Sequence, residues 1–269
     1  MQKIAIISST HEPASMNIRE NLLELQDFAD TGNKYKGNTI LSASLGSHDY
    51  SLYLLNESVL YADYLDELKA DMILFIYSHR SKAGIPSLCV HTPGNWGPAD
   101  LGGMEKQLCT APANYIKAIF NGLHKQETDY DVVQEVTHHG PFLKTPCIYV
   151  EIGCHEEQWT DKAAGKAVAT ALLEVLKNPV IEYPSVVGIG GLHTCPNFKK
   201  LILSDEFSLG HACPKYNLQN LNEEMLNQAL DRTIPKAEQA VLAWKGLGQE
   251  KARIIELLES MEIPYSRTR

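Results

Sequence analysis

Short apolar runs of strand length alternate with stretches of helical period along most of the chain, and this alternation restricts the fold more than any other feature. Lys3–Ser8 is an apolar run closed by polar turn residues and predicts a buried strand. Asn17–Phe28 carries Ile18, Leu22, Leu25 and Phe28 at helical spacing. Thr39–Ala43 and Ser51–Leu55 read as strands, Leu60, Tyr64 and Leu68 as one helix stripe, Asp71–Tyr77 as a very apolar strand and Ser87–Val90 as a short one. Ala113–Leu123 is an amphipathic helix, and Asp131–Thr137 and Cys147–Ile152 are strands on either side of His138-His139-Gly140-Pro141. Lys162–Leu176 is an Ala-rich helix, Val186–Ile189 a short strand, and Asn222–Arg232 and Gln249–Met261 are C-terminal helices. Such alternation implies an α/β fold, layered α/β/α around a mainly parallel mixed sheet. Joints are expected at Thr31–Asn38, Gly94–Gly103 and Asn178–Ser185. The 269 residues read as one α/β unit, with room for a smaller N-terminal or inserted portion.

Composition removes several function classes. No apolar run approaches the roughly 20 residues that span a bilayer, so no membrane partner is expected. The first residues are too short an apolar run for a signal peptide and read as the first strand. Six cysteines occur, none spaced C-x-x-C, and they read as reduced thiols of a cytoplasmic protein. A net charge of −9 argues against a general nucleic-acid binder, and no DNA partner is expected. It leaves room for a local basic patch that grips one end of an RNA.

Histidine placement is the informative feature. Six of the ten histidines follow a predicted strand or sit in a Gly/Pro-rich loop: His79, His91, His138, His139, His193 and His211. Ligands of α/β sheets bind at the carboxyl ends of strands, where such loops converge. Gly190-Gly191 after Val186–Ile189 suits a tight turn beside a substrate. His11, His48, His124 and His155 are read first as hydrogen-bonded structural groups. If the strand through Glu135 continues, Glu135, Thr137 and His139 share one face, and Glu135 orients His139. Glu151 ends an apolar strand, where a buried carboxylate needs a partner: a metal, a substrate amine or a salt bridge. Asp161 is expected at the N-terminus of the next helix and Trp159 in the core. No G-x-S-x-G, H-E-x-x-H or G-x-x-x-x-G-K-[ST] motif is present, and His193-x-Cys195 and His211-x-Cys213 are weak metal pairs by spacing alone. The residues alone stop at a hydrolase-like α/β enzyme with a histidine-rich site that can bind metal.

An ordered series of motifs carries the reading further: Pro13-Ala14-Ser15-Met16-Asn17-Ile18-Arg19, Ser78-His79-Arg80-Ser81 and Ser87-Leu88-Cys89-Val90-His91-Thr92-Pro93-Gly94-Asn95. It continues through Glu135-Val136-Thr137-His138-His139-Gly140-Pro141, Glu151-Ile152-Gly153 with Gln158-Trp159, Gly188-Ile189-Gly190-Gly191-Leu192-His193, Gly210-His211, Pro214-Lys215-Tyr216 and Lys245-Gly246. In this series the chain resembles the archaeal and plant type of D-aminoacyl-tRNA deacylase. It departs from the family at Cys154, where a serine is common, and at Leu192 and Thr194, where the family reads Gly and Tyr.

The resemblance implies a three-layer fold similar to the phosphorylase/peptidyl-tRNA hydrolase group. It also implies a monomeric, cytoplasmic, zinc-dependent hydrolase acting on the acceptor end of D-aminoacyl-tRNA. Zinc candidates are His79, His91, His138, His139, Glu151 and His193, with His211 second. His79, His138, His139, Glu151 and His193 are the catalytic candidates. Arg80, His91, Asn95, Gly190, Gly191 and Lys215 are candidates for substrate contact, and backbone N–H groups near Gly190-Gly191 for the oxyanion. Two rivals stay open: an aminopeptidase- or nucleoside-phosphorylase-like enzyme on the same fold, and a non-catalytic RNA-binding module.

Overall fold

The computed structural model describes residues 1–46 and 48–268. In chain order the elements are β1 (Gln2–Ser9), α1 (Pro13–Leu25), β2 (Ala29–Tyr35), β3 (Asn38–Leu45), β4 (His48–Leu55), β5 (Met72–Arg80), β6 (Ser87–His91), β7 (Ala111–Pro112), α2 (Ala113–His124) and β8 (Asp131–Gln134). They continue with β9 (Cys147–Cys154), α3 (Glu156–Trp159), α4 (Lys162–Lys177), β10 (Ser185–Ile189), α5 (Lys199–Leu203), β11 (Ser208–Cys213), α6 (Glu223–Asp231), β12 (Thr233–Ile234), β13 (Gln239–Leu242), α7 (Lys251–Ser260) and β14 (Tyr265–Arg267).

Eight strands form one sheet in the order β2-β3-β4-β1-β5-β9-β6-β8, and four form a second in the order β11-β10-β13-β14. The centre of the first sheet, β4 to β9, is parallel, and so is the whole of the second. β6 and β8 run against β9. The expected α/β fold with a mainly parallel mixed sheet is therefore observed. One face of the large sheet carries Ile4, Ile6, Leu74, Ile76, Ile148, Val150 and Ile152, and α1, α2 and α4 bury their apolar stripes against it. Val186, Leu209 and Val241 of the second sheet join that same core, while the opposite face of the second sheet packs on α6 and α7. The two sheets meet at β8. The Gln134 side chain donates to the Leu209 carbonyl, and the N–H groups of Val136 and Thr137 donate to His193 and Ala212.

Several expectations are corrected. The joint at Thr31–Asn38 is largely strand: β2 and β3 form an edge hairpin whose β2 residues are mostly exposed, so no apolar pattern marks it. Leu60, Tyr64 and Leu68 lie on two 3₁₀ turns rather than one helix. The strand from Asp131 stops at Gln134, because from Glu135 the backbone leaves β6 for the second sheet. Asp161 caps α4, accepting from the Ala163 N–H at 2.9 Å. Trp159 packs partly buried on the main core, and its indole N–H donates to the His79 carbonyl.

Candidate metal centre

Period-two alternation decides which face of the large sheet carries polar groups. On β9, Ile148, Val150 and Ile152 face the helices, leaving Tyr149, Glu151 and Gly153 on the other side. Pairing sets Tyr77 of β5 and Cys89 of β6 opposite Glu151, His79 opposite Gly153 and His91 opposite Tyr149. His91 thus ends a strand that runs against β9, and the site lies on the face around Glu151 rather than along one row of carboxyl ends. Gly153 is required by this packing. A Cβ there would sit 2.6 Å from Cδ2 of His79 and 2.8 Å from the Ser87 hydroxyl.

The segment after β8 closes the site from the side of the second sheet. Because it is no longer a strand, His138 and His139 do not take opposite faces. His139 adopts a left-handed backbone with φ of 47°, an uncommon state for a residue with a Cβ. Both rings then stack around His91, with centroids 4.2 and 4.8 Å from it. His193, on the loop after β10, sets its centroid 4.4 Å from that of His138. Glu135 faces His79, His138 and His193 at 3.4, 4.0 and 3.5 Å. Glu151 faces His79, His91 and His139 at 3.7, 3.6 and 3.9 Å. The expected pairing of Glu135 with His139 is replaced by one with His138.

These separations are long for hydrogen bonds. They lie close to the spacing of two ligands on one ion, since donors 2.0–2.1 Å from a tetrahedral zinc stand about 3.3–3.4 Å apart. Three overlapping groups have donor atoms all within 4.8 Å of one another: His91, His138 and His139; His79, Glu135 and His193; His91, Glu135 and Glu151.

Tautomers sharpen the point. The Nδ1–H groups of His138 and His139 donate to the Val136 and Gly140 carbonyls at 2.9 and 2.7 Å. A carbonyl only accepts, so each ring keeps its proton at Nδ1 and, when neutral, offers a lone pair at Nε2. Burial pushes the pKa of both rings down, and for His138 the neighbouring imidazoles push it further. Neutral Nε2 lone pairs therefore face carboxylate oxygens, acceptor against acceptor. Neither oxygen of Glu135 and neither nitrogen of His91 has a hydrogen-bond partner, although all four atoms are buried. Burial pulls the Glu151 carboxyl upward, yet His139 and His91 more than reverse that and hold it below the usual carboxylate range. Burial also opposes a proton on His79, but Glu135 and Glu151 outweigh it and raise its pKa. Two buried carboxylates and several ring lone pairs aimed at one space match the donor set of a divalent cation.

Two residues passed over as site members take part. Glu135, expected only to orient a histidine, stands as close to the cluster as Glu151. The Tyr216 hydroxyl lies 3.0 Å from Nδ1 of His193, the most exposed ring of the set, and its only trace in the sequence is its place beside Lys215. Other candidates lie apart. Both ring nitrogens of the fully buried His211 are taken, Nδ1 by the Thr137 hydroxyl and Nε2 by the Cys109 carbonyl, each at 3.0 Å. Asn95 uses its amide N–H groups on the Gly102 and Met104 carbonyls. Arg80 pairs with Glu12 at 3.0 Å and lies over the Trp159 ring. The Gly190 N–H is spent on the Cys213 carbonyl and is closed to an oxyanion. Lys215 is exposed, and its backbone N–H bonds the Gly191 carbonyl.

The family profile of D-aminoacyl-tRNA deacylase matches residues 66–266. The chain is 37% identical to the D-aminoacyl-tRNA deacylase of Methanosarcina mazei, over 96% of this chain and 90% of that protein. It is 32% identical to that of Pyrococcus furiosus, over 94% and 95%. A solved crystal structure of a conserved protein of unknown function superposes with a TM-score of 0.88 at 28% identity, covering 99% of this chain and 95% of that one.

Proposed function

The chain belongs to the D-aminoacyl-tRNA deacylase family, and from that membership we propose that it hydrolyses the ester between a D-amino acid and the terminal ribose of tRNA, with zinc held in the imidazole–carboxylate cluster. The observation that carries the metal is the facing of acceptors: His138 and His139 lone pairs against Glu135 and Glu151 oxygens at 4.0 and 3.9 Å, closed to water and to other donors. A divalent cation among them removes the conflict, and imidazole with carboxylate is a donor set that suits zinc.

A zinc ion in such a set supplies a nucleophile at neutral pH and positive charge for the ester carbonyl. The chain's own groups do the rest. His91, His138, His139 and His193 with Glu135 and Glu151 would hold the ion. The carbonyls of Val136 and Gly140 and the hydroxyl of Tyr216 fix which nitrogens face it. His79 holds a proton at Nδ1 between the two carboxylates, and we assign it to deliver a proton to the departing ribose oxygen. Lys215 and Arg80, on the rim, are assigned to the RNA. Clearing D-amino acids from tRNA in the cytoplasm, as chiral proofreading and detoxification, is the role that follows.

The test compares release of D- and L-tyrosine from charged tRNA by native, chelator-treated and zinc-restored protein. The expected result is D-selective release that chelation abolishes and zinc restores. Full D-tyrosine release by metal-free protein removes the zinc, and no release under any condition removes the deacylase.

A further inference from the structure

All four strands of the second sheet are parallel, so their carboxyl ends share one edge. That edge holds His193 after β10, Lys215 and Tyr216 after β11, Trp244 and Lys245 after β13, and Arg267 at the end of β14. The loops are knit together at Gly191. Its carbonyl accepts from the Lys215 N–H, and a Cβ on it would meet that of Ala243 at 3.6 Å. Gly191 has φ of 92°, so the close approach depends on glycine. The Arg253 guanidinium ties the start of α7 to the Leu218 and Leu221 carbonyls.

Cations on this edge keep their charge. Arg267 and Lys251 lie over the Trp244 ring, 3.4 and 4.5 Å from its centroid. A ring orders a cation without neutralising it, whereas a carboxylate cancels the charge. Among the described residues, Lys215, Lys245, Lys251 and Arg267 have no carboxylate within 4.0 Å. Across the site, Arg80 is paired with Glu12. The unneutralised edge adjoins the cluster directly, because Tyr216 follows Lys215 and bonds His193. In a chain of net charge −9, concentrated cation beside the reactive centre calls for an anionic partner.

We propose that the carboxyl edge of the four-stranded sheet holds the phosphates of the tRNA acceptor end, with Lys215, Lys245, Lys251 and Arg267 as its cations. The inference rests on the deacylase reading, which supplies a polyphosphate chain ending at the cluster. Trp244 acts as the post that fixes Arg267 and Lys251 for this task.

The experiment measures binding of labelled, uncharged tRNA over a range of salt, for the wild type, the Lys245→Ala/Lys251→Ala/Arg267→Ala triple variant and Lys245→Glu. The single change lies in an exposed loop and guards against misfolding of the triple variant. For the triple variant, the slope of log affinity against log salt should shrink by about 2, and low-salt affinity should fall at least about tenfold. Lys245→Glu should fall in the same direction. In parallel, the ratio of kcat/KM for D-tyrosyl-tRNA to that for D-tyrosyl-adenosine, which lacks phosphates, should drop. Unchanged affinity and slope in both variants would overturn this surface and leave deacylation untouched. A wild type that binds tRNA with the expected slope but releases no D-tyrosine would sink the deacylase reading and leave the surface standing.

Discussion

At the scale of single residues, Glu135 is the most costly group in the molecule unless something binds it. Its carboxylate is fully buried and neither oxygen has a hydrogen-bond partner. Glu135→Gln keeps the shape and removes the charge, so its effect should change sign with the metal. Metal-free Glu135→Gln protein should be as stable as the metal-free wild type or more so, because an uncompensated buried charge is gone. Zinc-loaded, the variant should bind the ion and deacylate at least about 100-fold more weakly. Paired unfolding curves and metal analysis check both. His211 gives a separate test, away from the cluster. Burial lowers its pKa to about 4, from an unfolded value near 6.5. Below about pH 6.5 the unfolded chain takes up the proton and the folded one does not. Stability should therefore fall as pH drops from about 6.5 to 4, by about 3 kcal/mol in all. His211→Gln should be less stable at pH 7 but lose this stretch of acid sensitivity, which unfolding midpoints against pH will read. The sequence displayed the histidines, since loop placement is visible there, and it could not separate His211 from the other five. That difference depends on whether Thr137 and Cys109 come to meet its two nitrogens, a matter of tertiary register.

At the scale of elements, the pairing of β5 with β9 sets His79 over Gly153. Gly153→Ala should cost about 1–3 kcal/mol by overpacking, because the methyl falls on an imidazole buried against the sheet. It should also lower zinc affinity by turning His79 away from both carboxylates. Unfolding curves with a zinc titration check this, and a variant of full zinc affinity would show that His79 is no ligand. Elements with strong periodicity were legible: β1, β5, β9, α2 and α4 stand within a few residues of where their apolar patterns put them. Elements that bury little, or bury small residues, were not. β2 is polar on both faces, and β11 reads Ser-Leu-Gly-His-Ala-Cys, buried throughout yet without an apolar run. Loss of β11, β13 and β14 hid the second sheet, and with it the neighbour that draws Glu135–Thr137 off the line of β8. The alternation in Glu135-Val136-Thr137 was real as extended chain, but its hydrogen-bond partners changed sheet midway, and no local pattern carries that.

At the scale of the whole molecule, the cluster is a tie between the two sheets. His79, His91 and Glu151 come from the large sheet, His193 from a loop of the small one, and Glu135, His138 and His139 from the segment that crosses between them. An ion bound by these groups joins regions that otherwise meet through few backbone bonds. Unfolding scatters the ligands over more than a hundred residues of chain, so the ion binds the folded state alone, and its binding free energy adds to folding stability. At free zinc about 1,000-fold above the dissociation constant the gain is about 4 kcal/mol. A chain of this length gains about 2–4 °C per kcal/mol, so chelation should lower the melting temperature by about 10 °C and added zinc should restore it. Glu135→Gln should flatten the response while leaving cooperative unfolding intact, which separates loss of the ion from general damage. The edge hairpin of β2 and β3 lies far from the tie, and hydrogen exchange there should hardly respond to zinc, whereas amides of β8 and of residues 135–139 should slow markedly. Equal slowing at both ends of the sheet would mean that the metal stabilises the molecule uniformly and does not act as a joint between the sheets.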